Sequence, residues 1–147
     1  MPNTPSGPET ITLILPSRLE LLSVLDRVAN AMCERLEFDE DTRTQVSMSV
    51  IEAGTNAIQH GHKKDPTKAF DTKFEVFADR IEITVHDSGS GFTLAEVNGD
   101  ATSPEHLFDA RGRGIFIMRT CMDVVDFRFG QFGTECHLVK RRAAPAS

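Results

Sequence analysis

The sequence predicts a two-layer α/β sandwich: one mixed, mostly antiparallel sheet with helices packed on a single face. Three observations carry that expectation. Segments of apolar alternation, the mark of a half-buried strand, occur near the start, in the middle and near the end of the chain. Two stretches of helical periodicity separate the first of these segments from the rest. The resulting order is strand, helix, helix, strand pair, long connection, helix, strand pair, which suits helices laid over one side of a sheet. A chain of 147 residues with 39% hydrophobic content fits one domain, able to bury roughly two thirds of its surface.

The first strand is expected near Thr10 to Leu15. Ser17, followed three residues later by Glu20, is a capping-box pattern that opens a helix running to about Leu36. Its Leu21, Leu22, Leu25, Val28, Ala29 and Met32 form a stripe for the core. A second amphipathic helix covers Asp41 to Gly61, where Val46, Val50, Ala53, Ala57 and Ile58 recur at helical spacing. Lys73 to Ala78 and Arg80 to His86 alternate and are joined tightly at Asp79-Arg80, a hairpin signal. The segment from Phe92 to Ala110 has little periodicity and is longer than most structureless connections, so it reads as a functional loop. A helix from Gly114 to about Met122 then leads to strands near Val124 to Phe129 and Glu135 to Val139, with Gly130-Gln131-Phe132-Gly133 turning between them. Residues 1–9 and 143–147 are expected to fray, leaving 10–142 as the folded domain.

Chemistry concentrates in three places. Asp87-Ser88-Gly89-Ser90-Gly91-Phe92 follows the alternating Ile81, Ile83 and Val85, so a carboxylate stands where a strand ends. Gly89 and Gly91 let the backbone turn sharply and approach a ligand, while Asp87 can accept a hydrogen bond from an exocyclic amine such as that of adenine. Arg111-Gly112-Arg113-Gly114 runs into the apolar Ile115-Phe116-Ile117-Met118. A glycine turn feeding a helix start offers free N–H groups and a positive dipole end to an anion, with arginine charge beside it. Upstream, Glu52 and Asn56 are four residues apart on one helix face, continued by Gln59 and His60. A carboxylate and a carboxamide stacked in this way can hold a proton acceptor and a metal-binding oxygen at one site, and Mg²⁺ accepts such sparse protein ligation.

Taken together, these elements resemble the GHKL superfamily of ATP-binding domains, whose boxes are a Glu-x-x-x-Asn helix, an Asp-x-Gly-x-Gly turn and a Gly-x-Gly lid end. All three occur here in family order, and a closing Gly133-Thr134-Glu135 before an alternating strand also matches. Within the superfamily the chain is most similar to the bacterial anti-sigma-factor serine/threonine kinases of partner-switching systems, over about Ile11 to Arg142. The resemblance implies a Bergerat-type ATP-binding fold, with ATP and Mg²⁺ held between helices and sheet. It assigns the adenine contact to Asp87 supported by Thr134, the metal to Asn56, and the nucleotide backbone contacts to Gly89, Gly91, Gly112, Gly114 and Ile115. Glu52 would take the proton of the attacking hydroxyl, and Arg111 or Arg113 would offset transition-state charge. The connection from Phe92 to Ala110 corresponds to the family's ATP lid. The implied partners are a sigma factor, an anti-sigma factor antagonist that becomes phosphorylated, and a second copy of the chain in a homodimer.

Two further readings stand beside this kinase: a nucleotide-gated binding module without kinase activity, and a histidine-kinase-type catalytic domain. The second is disfavoured because none of His60, His62, His86, His106 or His137 lies in a helix ahead of the domain.

Composition narrows the field further. A formal net charge of -6 argues against nucleic-acid binding. No apolar run approaches the length of about 18 residues that a membrane helix needs, and the start lacks a signal-peptide pattern, so a cytoplasmic location is expected. Cys33, Cys121 and Cys136 sit singly in apolar patterns and read as small buried hydrophobes. His60-Gly61-His62 lacks a nearby third soft ligand and is not expected to hold a metal. The basic run Lys140-Arg141-Arg142 reads as a solvated end.

Overall fold

The computed structural model describes residues 7–61, 67–88, 110–131 and 133–143, with backbone alone for 60–61 and 110–112. Five strands form one open sheet in the order β1-β2-β3-β5-β4. They are β1 (Glu9–Pro16), β2 (Ala69–Val76), β3 (Arg80–Asp87), β4 (Val124–Gly130) and β5 (Gly133–Arg141). Every described pair is antiparallel. The parallel component that a mixed sheet would have contained is absent among the described strands. Its absence follows from connectivity, since β2–β3 and β4–β5 are hairpins and β5 closes on β3 from the far side.

Alternation sorts the two faces of the sheet. Phe70, Phe74, Ile81, Ile83, Val85, Cys136 and Leu138 point into the core and are buried. Their neighbours Asp71, Lys73, Glu82, Thr84, His86, Glu135 and His137 fall on the other face. That outer face is knit by polar contacts, with His137 between Thr84 Oγ1 and Glu82 Oε1 at 2.9 Å each, and His86 Nδ1 2.8 Å from Asp71 Oδ1.

The helices α1 (Leu22–Glu34), α2 (Glu40–Asn56) and α3 (Ala110–Cys121) cover the apolar face, with α2 packed between the other two. Leu25, Ala29 and Met32 of α1, Val46, Val50 and Ala53 of α2, and Ile115 and Met118 of α3 supply their share of the core. Of the stripe expected on α1, Leu22 and Val28 pack partly buried against this core and Leu21 falls in the turn before the helix, which opens differently from the capping-box reading. A 3-10 turn at Leu19–Leu21 precedes it, and neither Arg18 nor Leu21 caps with its side chain. Regular helix stops at Glu34, and Glu37 adopts a positive φ of 55° shortly afterwards, a backbone turn that ends the run short of Leu36.

The start of α2 is fixed by Asp39, whose side chain accepts from the Thr42 amide at 2.8 Å. Its end departs from the single helix expected to Gly61. Regular α-helix closes at Asn56, and a π-helical turn, Ala57–Gly61, takes over. Such turns re-aim side chains by widening the hydrogen-bonded ring.

The basic run at the end of β5 is not a loose tail. Lys140 Nζ donates to the Cys121 carbonyl at 2.6 Å, closing the C-terminus of α3, and the Arg141 amide donates to Asp123 at 2.6 Å. Arg142 donates through its backbone to Asp79 at 2.7 Å and through its guanidinium to Glu37 at 3.1 Å. All three cysteines are free and buried, and burial pushes the Cys33 thiol up to about 12.

Candidate functional site

Asp87 is the last residue of β3, and antiparallel register places it directly opposite Thr134 at the start of β5. Alternation turns both side chains to the helix side, where both are buried. The two strands can come this close because residue 133 is glycine. Gly133 has a φ of +111°, and a Cβ there would lie 2.0 Å from the Asp87 carbonyl oxygen. A backbone-to-backbone approach of this kind fixes the position of Asp87 relative to Thr134.

The helix layer contributes the other half of the site. Asn56 is the last residue of α2 and is 8% exposed, while Glu52 lies one turn earlier on the same face. α3 approaches them through Gly114, where an added Cβ would sit 2.6 Å from Glu52 Oε2 and 3.8 Å from Asn56 Oδ1. Only a glycine lets the helix pass over those side chains undisturbed. Partial burial pushes the Glu52 carboxyl above the usual glutamate value, and the positive charge of Arg113 works against that rise. Arg113 itself is exposed.

The chain carries buried polar atoms whose needs the described residues do not meet. Asn56 Nδ2, Thr134 Oγ1 and Thr72 Oγ1 have no hydrogen-bond partner among the described residues. Leaving such groups unpaired costs about 1–3 kcal/mol each. Orphaned donors and acceptors suit a polar ligand that completes them. An adenine nucleotide and its divalent ion would suit these groups: the carboxamide oxygen of Asn56 is the kind of ligand magnesium takes, its Nδ2 can donate to a phosphate oxygen, and Thr134 stands opposite the Asp87 acceptor.

The residues singled out from sequence gather in two groups, both on the helix-covered side of the sheet. Glu52, Asn56 and Gly114 meet at the α2–α3 seam, and Asp87 and Thr134 meet at the β3–β5 ends. Gly112 and Arg111 lie in the first turn of α3, which begins at Ala110, so the glycines sit within the helix and not in a turn ahead of it. The side chain of Ile115 is fully buried and anchors α3 to the core. Gly89, Gly91 and the expected lid from Phe92 lie outside the described residues, as does His62.

Sequence reasoning missed Thr72. It began the strand at Lys73, whereas β2 begins at Ala69 and places Thr72 at a core position between Phe70 and Phe74. A threonine in phase with two buried phenylalanines is the signal that could have found it.

Fold and site together define a class. The chain belongs to the histidine kinase-like ATPase domain family, whose sequence profile matches residues 15–140. Its relatives are more particular: it is 32% identical over 115 residues to the serine-protein kinase RsbW of Bacillus licheniformis, covering 75% of this chain and 72% of that one. RsbW of Bacillus subtilis strain 168 is 30% identical over 120 residues, 78% of this chain and 75% of that protein. RsbW of Halalkalibacterium halodurans is 29% identical over 126 residues, with 82% and 76% covered. The GHKL resemblance read from the three boxes is borne out by these matches.

Proposed function

We propose that this chain is an ATP-dependent serine/threonine protein kinase that also acts as an anti-sigma factor. The observation that carries the reading is the meeting of Glu52, Asn56 and Gly114 at the α2–α3 seam, on the same helix-covered side as Asp87 and Thr134. The similarity to proteins named serine-protein kinase RsbW supports the choice of a hydroxyl-bearing protein as acceptor.

In this reading Asp87 accepts a hydrogen bond from the adenine amine, and Thr134 supports that contact. Asn56 would hold Mg²⁺ through its carboxamide oxygen, and the ion would supply positive charge that offsets that of the phosphates. Glu52 orients the acceptor hydroxyl and takes its proton. Its raised pKa makes it a stronger proton acceptor than an ordinary glutamate. Gly112, Gly114 and Ile115 supply backbone at the phosphates, with Gly89 and Gly91 at the nucleotide's other side. Arg113, and with it Arg111, offsets charge developing on the transferred group. As oxygen–phosphorus bond formation proceeds at the acceptor hydroxyl, the bond to the leaving ADP breaks.

The partners follow from the resemblance: a sigma factor held inactive, and an antagonist protein that is phosphorylated on serine or threonine. We place the chain in the cytoplasm as a homodimer. No described helix is long and apolar enough to cross a membrane. A tagged chain incubated in native lysate with Mg-ATP or Mg-ADP tests the reading by mass spectrometry of the proteins it retains. A sigma factor and a small antagonist should co-purify, the antagonist gaining phosphoserine or phosphothreonine only with ATP and only when Glu52 is intact. Retention of the same proteins with no phosphate transferred would overturn the kinase assignment.

A further inference from the structure

Thr72 is fully buried, and its hydroxyl has no partner among the described residues. It occupies the helix-facing side of β2, directly opposite Val85 of β3 and Leu13 of β1, with Phe70 and Phe74 two residues to either side. Valine would fill the same volume there without a polar atom. A hydroxyl placed among these groups destabilises the chain unless something satisfies it.

Register shows what lies within reach. Asp87 follows Val85 by two residues and so shares its face, which makes Asp87 the diagonal neighbour of Thr72 across the β2–β3 pair. Residues related in this way are about 7–8 Å apart and their Cβ atoms somewhat less, so polar side-chain atoms that reach toward each other can be joined by one bridging water. On the other flank Thr134 stands directly opposite Asp87, and its hydroxyl is likewise unpartnered among the described residues. One buried carboxylate at the end of a strand therefore has a hydroxyl on each neighbouring strand.

We propose that Thr72 is a positioning residue for the nucleotide base: through one buried water it holds the Asp87 carboxylate in the orientation that receives the adenine amine. The inference rests on the nucleotide reading of the site and extends it to a residue outside the family boxes of this chain. The Thr72 hydroxyl donates a hydrogen bond to the water, and the water donates one to an Asp87 oxygen. The carboxylate is then fixed from both neighbouring strands before the base arrives, so that less ordering remains to be done on binding.

Calorimetric titration with Mg-ATP and with Mg-purine riboside triphosphate, which lacks the exocyclic amine, tests this on wild type, Thr72→Val and Thr72→Ser. The valine variant should melt at or above the wild-type temperature and bind ATP about 3- to 10-fold more weakly. It should bind the amine-free nucleotide as wild type does, and the serine variant should keep wild-type ATP affinity. Unchanged ATP binding by Thr72→Val would overturn the inference, as would an equal loss for both nucleotides or an equal loss in the serine variant. A wild-type chain that takes up neither nucleotide would overturn the reading of the site itself, a failure visible before any variant is compared.

Discussion

Gly114 passes so close to Glu52 that a Cβ on it would lie 2.6 Å from Glu52 Oε2. The atom it would meet is the far end of a flexible side chain, so alanine at position 114 can be accommodated by turning Glu52 aside. Alanine is also the better helix former by about 1 kcal/mol. Gly114→Ala should therefore melt at or above the wild-type temperature and yet lose at least about 10-fold in phosphoryl transfer, because Glu52 no longer points where the acceptor hydroxyl sits. Thermal denaturation and a transfer assay on one preparation check both halves of that expectation.

Glu52 itself should separate chemistry from binding. Removing a general base costs about 10²–10⁴-fold in rate. Glu52→Ala should show that loss in phosphoryl transfer while Mg-ATP affinity stays within a few-fold of wild type. An equal loss in both would remove the assignment.

The raised Glu52 pKa also predicts a pH dependence of stability. Burial disfavours the ionised carboxyl, so between the ordinary glutamate value, about 4.3, and its higher folded value the folded state binds the extra proton. Stability linked to this group is present below the ordinary value and is lost as pH rises through the folded one. Glu52→Gln should consequently raise the melting temperature at pH 7, with the gain shrinking toward zero near pH 4. A gain that grew on acidification would contradict the sign.

Asp39 behaves in the opposite sense. The hydrogen bond from Thr42 holds its carboxyl below the usual aspartate value, so the cap's contribution is present above that value and lost as pH falls through the folded one. Asp39→Ala should lower the melting temperature at neutral pH, and its difference from wild type should narrow in acid.

Gly133 offers no such latitude. A Cβ there would meet the Asp87 backbone at 2.0 Å, and the φ of +111° is one that L side chains rarely adopt. Gly133→Ala should destabilise the chain by at least about 2 kcal/mol in denaturant titration, and it should weaken nucleotide binding by moving Asp87 away from Thr134.

Much of this was legible in the chain because alternation and helical spacing survive into the fold. Leu25, Ala29 and Met32 announced the buried side of α1, and Ile81, Ile83 and Val85 announced that of β3. The boxes singled out Glu52, Asn56, Asp87 and Thr134, and the fold buries Asn56, Asp87 and Thr134. What sequence did not give depends on contacts made far along the chain. The extension of β2 back to Ala69 is set by pairing with β1, in which Pro16 faces Ala69, and no local pattern records that pairing. Lys140-Arg141-Arg142 looked solvated because the groups that bind it lie far along the chain: the carbonyls of Cys121 and Asp79 and the carboxylates of Asp123 and Glu37. The close approach of Gly114 to Glu52 joins two helices more than fifty residues apart, which spacing alone could not show.

The central claim is that an adenine nucleotide lodges against Asp87 and Thr134, with its magnesium at Asn56. Calorimetric titration of Mg-ATP into wild type and Asp87→Asn tests it most directly. The account predicts magnesium-dependent binding by wild type, weakened at least about 10-fold in the variant, whose neutral carboxamide keeps one weaker acceptor oxygen and turns the other into a donor. Wild-type chain that takes up no nucleotide, or an asparagine variant that binds as tightly as wild type, would contradict it.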